Sequence, residues 1–195
     1  MPTILTETYE QHISRFLERF KLVPIFVSFF LVLFSIFFVR DLAQRSVWGA
    51  QRQALPFPGM LPDHPLYPLK QARDNFMLLT TRAPLNKAQL YLHLADKSIN
   101  AANMVTDCAV ATKTAIQSQK YLLNQRQALL AAKEMGLTPE ITTITGNRMS
   151  IKEHGLILKD IGKRCKNKEE RTELTQATKL HDSFSRWFDS TYTSL

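Results

Sequence analysis

The chain has 195 residues, 45% of them apolar, with six Gly and only two Cys, which excludes a collagen-like fibre and a disulfide-dense miniprotein. Its 25 Lys and Arg outnumber its 17 Asp and Glu, a formal charge of +8 at pH 7. Mean hydropathy is slightly negative, yet six of the twelve Phe fall between Phe26 and Phe38, so the apolar residues are concentrated in one place.

Residues 1–21 form a short tail in which Arg15, Arg19 and Lys21 balance Glu7, Glu10 and Glu18. Ile13, Phe16, Leu17 and Phe20 recur at helical spacing, which fits either an amphipathic helix on the bilayer surface or an early start of the next element. From Leu22 to Val39 the sequence reads LVPIFVSFFLVLFSIFFV: eighteen uncharged residues, fifteen of them Leu, Ile, Val or Phe. At about 1.5 Å per residue this run spans roughly 27 Å, close to the ~30 Å hydrocarbon core, and it is expected to be a single transmembrane helix. The small-x-small site of a cleaved signal peptide is poorly matched after it, so the anchor is expected to remain. Three bases flank each end, and the positive-inside rule gives no direction. The shortness of the tail places the N-terminus in the cytoplasm and the following domain outside the cell membrane.

All of the net charge lies in residues 40–195, with 22 basic and 14 acidic side chains. Outside a cell, such a surface suits lipid headgroups, wall polymers or acidic proteins. Its densest basic run, Lys163, Arg164, Lys166, Lys168 and Arg171, has no interleaved aromatic residues, and no nucleic-acid partner is expected.

Residues 40–60 read as a juxtamembrane helix followed by a proline-rich linker. Five of the nine prolines fall between Ala54 and Pro68. Residues 61–195 then read as an all-α domain. Leu66, Leu69, Ala72, Phe76 and Leu79 form the apolar stripe of a first helix, ended by Pro84. Ala88, Leu92, Ala95, Ile99 and Ala102, continued after a one-residue slip by Val105, Ala109, Thr112, Ile116, Gln119 and Leu123, predict one long second helix. Its small residues allow close packing within the bundle or against a second copy. Gly136 with Leu137 predicts a Schellman stop, and Thr138-Pro139 a restart, giving a long antiparallel hairpin. The third helix carries Ile141, Ile144, Ile151, Leu158, Ile161 and Cys165; Gly146-Asn147 is a candidate interruption, with Ser150 and Glu153 as a candidate capping box after it. Asn167 with Glu170 predicts the cap of a last helix, whose stripe is Leu174, Ala177, His181, Phe184 and Phe188. The expected architecture is an anchored antiparallel helical bundle.

Two stretches carry a family resemblance. Leu61-Pro62-Asp63-His64-Pro65-Leu66-Tyr67-Pro68-Leu69-Lys70, followed by Asn86-Lys87-Ala88-Gln89-Leu90-Tyr91-Leu92-His93-Leu94-Ala95-Asp96-Lys97, resembles the bacterial domain-of-unknown-function family 5667 over about residues 58–105. The family pattern usually continues with Arg and Glu after the Ala, where this chain has Ser98, Ile99 and Asn100. The resemblance implies a single-span bacterial envelope protein with an outward helical domain, and no reaction. Pro62, Pro65, Tyr67, Leu69, Lys70, Lys87 and Ala95 are its motif residues. They read as structural: the prolines fix the approach to the first helix, Tyr67 and Leu69 pack it, and Lys70 stays near solvent.

No metal-ligand spacing, phosphate loop or nucleophile elbow occurs, so no enzyme, metal or cofactor is expected. His93-x-x-Asp96 could supply half a metal site, and a hydrogen-bonded structural histidine accounts for it better. Cys108 lies 28 residues before Gly136, and Cys165 lies 28 after Leu137. Antiparallel helices leaving that turn place both at one level, which leaves two readings open: a disulfide in an oxidising exterior, or two buried thiols. The function expected is an uncharacterised membrane protein presenting a non-catalytic helical domain to a protein or envelope component; a component signalling across the membrane is the alternative, weakened by the short tail.

Overall fold

The computed structural model describes residues 55–193 together with Ser28, Leu31 and Val32. The chain divides into two compact units, Met1–Ala50 and Gln51–Leu195. In the first, the three described residues are helical and exposed; the rest of the expected anchor and all of residues 40–54 lie outside the described residues. No described helix is long and apolar enough to cross a membrane.

Among the described residues the second unit contains five helices: α1 Tyr67–Thr80, α2 Pro84–Met104, α3 Cys108–Glu134, α4 Ile141–Arg164 and α5 Lys168–Tyr192. No strand occurs among the described residues. Pro68 and Pro84 sit in the first turns of α1 and α2, where a missing N–H leaves no hydrogen bond unmade. The connections are three to six residues long, and such short joints fold successive helices back on one another.

The expected long second helix is two helices. It breaks at Val105–Asp107, where the Asp107 carboxylate accepts hydrogen bonds from the backbone N–H groups of Ala109 (2.8 Å) and Val110 (3.2 Å) and so starts α3. The alternation slips by one residue at Val105 because the chain turns there. Folding back lets the alanine-rich faces of α2 and α3 meet in the most extensive helix contact of the unit. At the other end of α3 the expected stop is present: Gly136 has φ +73°, its N–H donates to Lys133, and Leu137 N–H donates to Ala132. The restart differs, since α4 begins at Ile141 after Glu140, whose side chain makes no capping hydrogen bond.

Gly146-Asn147 does not interrupt α4, and Ser150 is not a cap; both lie inside a continuous helix held on its buried side by α2 and α5. The hairpin joining α3 and α4 also differs from expectation. α3 packs mainly on α2 and α5, and α4 mainly on α5 and α2, so α3 and α4 stand nearly diagonal and touch only slightly. Asn167 caps α5 as expected, accepting from Glu169 N–H at 3.4 Å. The α5 stripe, Leu174, Ala177, His181, Phe184 and Phe188, is wholly buried.

The first helix reverses its expected orientation. Leu66, Leu69, Phe76 and Leu79 are exposed, and α1 turns Asp74 and Met77 inward against α2. Its inner side is fixed by polar anchoring instead of by its apolar stripe.

Candidate functional site: a buried polar layer beneath an outward apolar helix

Two apolar clusters fill the bundle. One gathers Leu92, Leu122, Leu129, Ile144, Ile151, Phe184 and Phe188. The other gathers Ile99, Ala115, Ile157, Leu158, Ile161, Leu174 and Ala177. Where the two clusters meet along the chain, α2 to α5 each contribute buried polar residues: Asp96 from α2, Ser118 and Gln119 from α3, Ser150 and His154 from α4, and His181 from α5.

Asp96 and His154 are both 0% exposed. His154 Nε2 lies 3.0 Å from Asp96 Oδ1, and Ser150 Oγ donates a short hydrogen bond to the same oxygen. Gln119 Nε2 approaches His154 Nδ1 at 3.5 Å. These contacts are met together when His154 carries a proton on Nε2, donates to Asp96 and accepts from Gln119. Ser118 Oγ donates to the Ala95 carbonyl at 2.9 Å, and His181 Nε2 lies 2.9 Å from the Ile151 carbonyl. The amide oxygens of Gln119 and Gln125 are buried without a hydrogen-bond partner. With its side chains shut away from solvent, the layer offers no surface on which a substrate could meet Asp96 or His154.

Asp96 is thus partnered across helices by Ser150 and His154 of α4. Neither Asn147 nor His154 belongs to the stripe expected for the third helix, although the spacing carries a signal for both. Continuing the alternation of threes and fours through Ile144, Ile151, Leu158, Ile161 and Cys165 places Asn147 and His154 on the core stripe, and both are buried.

The motif residues are spread over the segment before α1, the start of α1, and α2 as far as its middle. Pro62 and Tyr67 are half-buried, Pro65 is exposed, Lys87 is half-buried and Ala95 is fully buried. Leu69 and Lys70 exchange the roles expected of them. Leu69 is 68% exposed. Lys70 turns inward, where its ammonium donates to the carbonyls of Pro58 (2.9 Å) and Met60 (3.1 Å) and lies 5.2 Å from the centre of the Tyr67 ring. Burial pulls the Lys70 pKa below its ordinary value, with Asp74 opposing that shift. Burial pushes the Tyr67 phenol up, helped by Tyr121 and Asp74. Asp74 in turn accepts from Arg73 at 2.8 Å, and Asn100 donates to the Pro56 carbonyl at 3.0 Å. The proline segment is thus clipped to the bundle by its carbonyls, the groups proline retains.

Cys108, at the start of α3, and Cys165, just after α4, form a disulfide with 5.5 Å between Cα atoms. It joins the two diagonal helices at the end opposite Gly136. The Glu170 carboxylate lies within 4.8 Å of both sulfurs. Bonded to each other, those sulfurs offer a cation no thiolate. The basic run around the α4–α5 turn is solvated, with Lys163 paired to Asp160 at 2.9 Å. Its last member, Arg171, lines an open groove of about 280 Å³ with Gly162, Leu174, Thr175, Thr178 and Lys179.

Fold and site together define an all-helical bundle domain with an enclosed polar layer and one internal disulfide. Comparison with known protein families, curated proteins and solved structures finds no match to this chain.

Proposed function

We propose that the chain is a single-pass membrane protein of the bacterial envelope. In this reading Leu22–Val39 is the anchor, the N-terminus is cytoplasmic, and the bundle is a non-catalytic extracytoplasmic module that binds another protein or an envelope component. Membership of family 5667 is part of the same proposal and rests on the two motifs around Tyr67 and Ala95.

The observation that carries it is the Cys108–Cys165 bridge in a domain that follows an uncharged apolar run of membrane length. Disulfides persist in oxidising compartments, so the pairing supports the outward orientation. Enclosure of Asp96, Ser150 and His154 supports binding over catalysis, because a reaction needs its groups within reach of a substrate.

Carbonate washing of membranes, followed by maleimide labelling before and after reduction, tests it. The chain is expected in the washed pellet, with two thiols appearing only after reduction. Recovery of intact chain in the supernatant would overturn the anchor, and two thiols labelled in unreduced cells would overturn the outward placement.

A further inference from the structure

The outer face of α1 carries a row of exposed apolar side chains. Leu69, Ala72, Phe76 and Leu79 follow a spacing of three, four and three and share one side of the helix, with Leu66 at its N-cap continuing the row. Leu79 is 81% exposed, Leu69 68%, Leu66 55% and Phe76 49%. The neighbouring exposed residues, Gln71, Asn75 and Thr80, are uncharged. The inner side is meanwhile secured by the Lys70 clip and by Asp74, so the apolar row has a fixed outward direction.

We propose that this face docks on an anionic phospholipid surface, laying α1 in the interface between headgroups and acyl chains. The inference rests on the anchor reading above and adds to it which surface of the bundle meets the bilayer. Three observations select lipid as the occupant.

The first is the tether. Only fifteen residues separate Val39 from Leu55, the first residue of the described part of the bundle. Fully extended they reach at most about 50 Å, so an anchored bundle is held continuously near the membrane surface. The second is charge. With Lys70 turned inward onto carbonyls and Arg73 paired to Asp74, the cations left within residues 66–90 are the exposed Arg82 and the half-buried Lys87, and Asp74 is the single acid there. A second copy would bring cations towards cations, whereas anionic headgroups complement them. The third is area. The four large side chains together expose roughly 500 Å², so two such rows in contact would bury about 1,000 Å² of them, the lower bound for specific protein interfaces. Shallow burial in an interface needs no matching protein surface and makes use of the whole row.

The test is photo-cross-linking of the full-length chain reconstituted in vesicles of phosphatidylethanolamine and phosphatidylglycerol. A benzophenone amino acid replaces Leu79 or, as the control, exposed Lys152 on α4. Phospholipid adducts at position 79, several-fold above those at 152, are the expected result. Chain-to-chain adducts at 79 would replace lipid by a second copy and overturn the proposal, as would lipid labelling at 79 no higher than at 152. A carbonate wash of the same vesicles separates the two readings: release of the chain refutes the anchor, while retention without lipid adducts at 79 refutes the docking face alone. If the chain is released, the ratio of lipid labelling at 79 to that at 152 still decides the docking.

Discussion

Opening the Cys108–Cys165 bond tests how much of the bundle depends on a tie between its diagonal helices. The two cysteines are 57 positions apart, and closing a loop of that length removes denatured-chain entropy equivalent to about 4 kcal/mol at 25 °C. The unit Gln51–Leu195 unfolds with an entropy of roughly 0.3 kcal/mol per degree, scaled from about 2.1 cal/mol/K per residue. The melting temperature should therefore fall by about 14 °C on reduction. Little else replaces the tie, since α3 and α4 touch only slightly and the bridge sits at the end away from their connection. Circular-dichroism melts of detergent-solubilised full-length chain, with and without a phosphine reductant, provide the measurement, and intact mass after alkylation verifies that both thiols opened. A fall below about 3 °C with both thiols alkylated would refute the reasoning, because the loop constraint would then contribute almost nothing.

Other perturbations probe separate parts of the unit. Asp96→Ala strands the donors of Ser150 and His154 in the enclosed layer and should cost about 3 kcal/mol in urea unfolding, whereas Asp63→Ala, at an exposed site, should stay within about 0.5 kcal/mol. A loss below about 1 kcal/mol at Asp96 would show that the layer is not maintained. Gly136→Ala should destabilise by about 1 kcal/mol through its positive φ alone, since nothing lies within 4 Å of the added carbon. Gly146→Ala, in open space within α4, should stabilise by up to about 1 kcal/mol, and equal signs in thermal melts would contradict the two backbone assignments. Burial raises the phenols of Tyr67, Tyr121 and Tyr192 above the ordinary 10.0. Above that pH the unfolded chain loses protons that the folded chain keeps, so stability should fall as pH rises through the folded values. Lys70, lowered by burial, acts with the opposite sign between its folded value and 10.5, one group against three. Absorbance at 295 nm should show native tyrosines ionising later than those of the denatured chain; coincident curves would refute their burial.

Local chemistry left clear marks along the chain. Gly136 could be read as a stop because few residues other than glycine take a left-handed turn cheaply, and Asn167 as a cap because its amide oxygen satisfies a first-turn N–H without help from the rest of the fold. The α5 stripe was equally plain, since an uninterrupted period of three and four has one face to bury. What depended on distant partners was not legible. The slip at Val105 marked an irregularity, and only the packing of α2 on α3 turned it into a reversal of the chain. Hydropathy turns Leu69 inward and Lys70 outward, and it cannot anticipate that the carbonyls of Pro58 and Met60 lie on the inner side to receive an ammonium. Asp96, Ser150, His154 and Gln119 come from three helices and acquire a shared role when those helices meet. The equal spacing of Cys108 and Cys165 from the turn was arithmetic available in the sequence, but proximity required α4 to run unbroken through Gly146. Periodicity, caps and stops are set by neighbours within a few residues, so the sequence alone determined them. Which face turns inward, and which polar groups find each other, is decided by free-energy differences between whole packings, and those exist only in the tertiary structure.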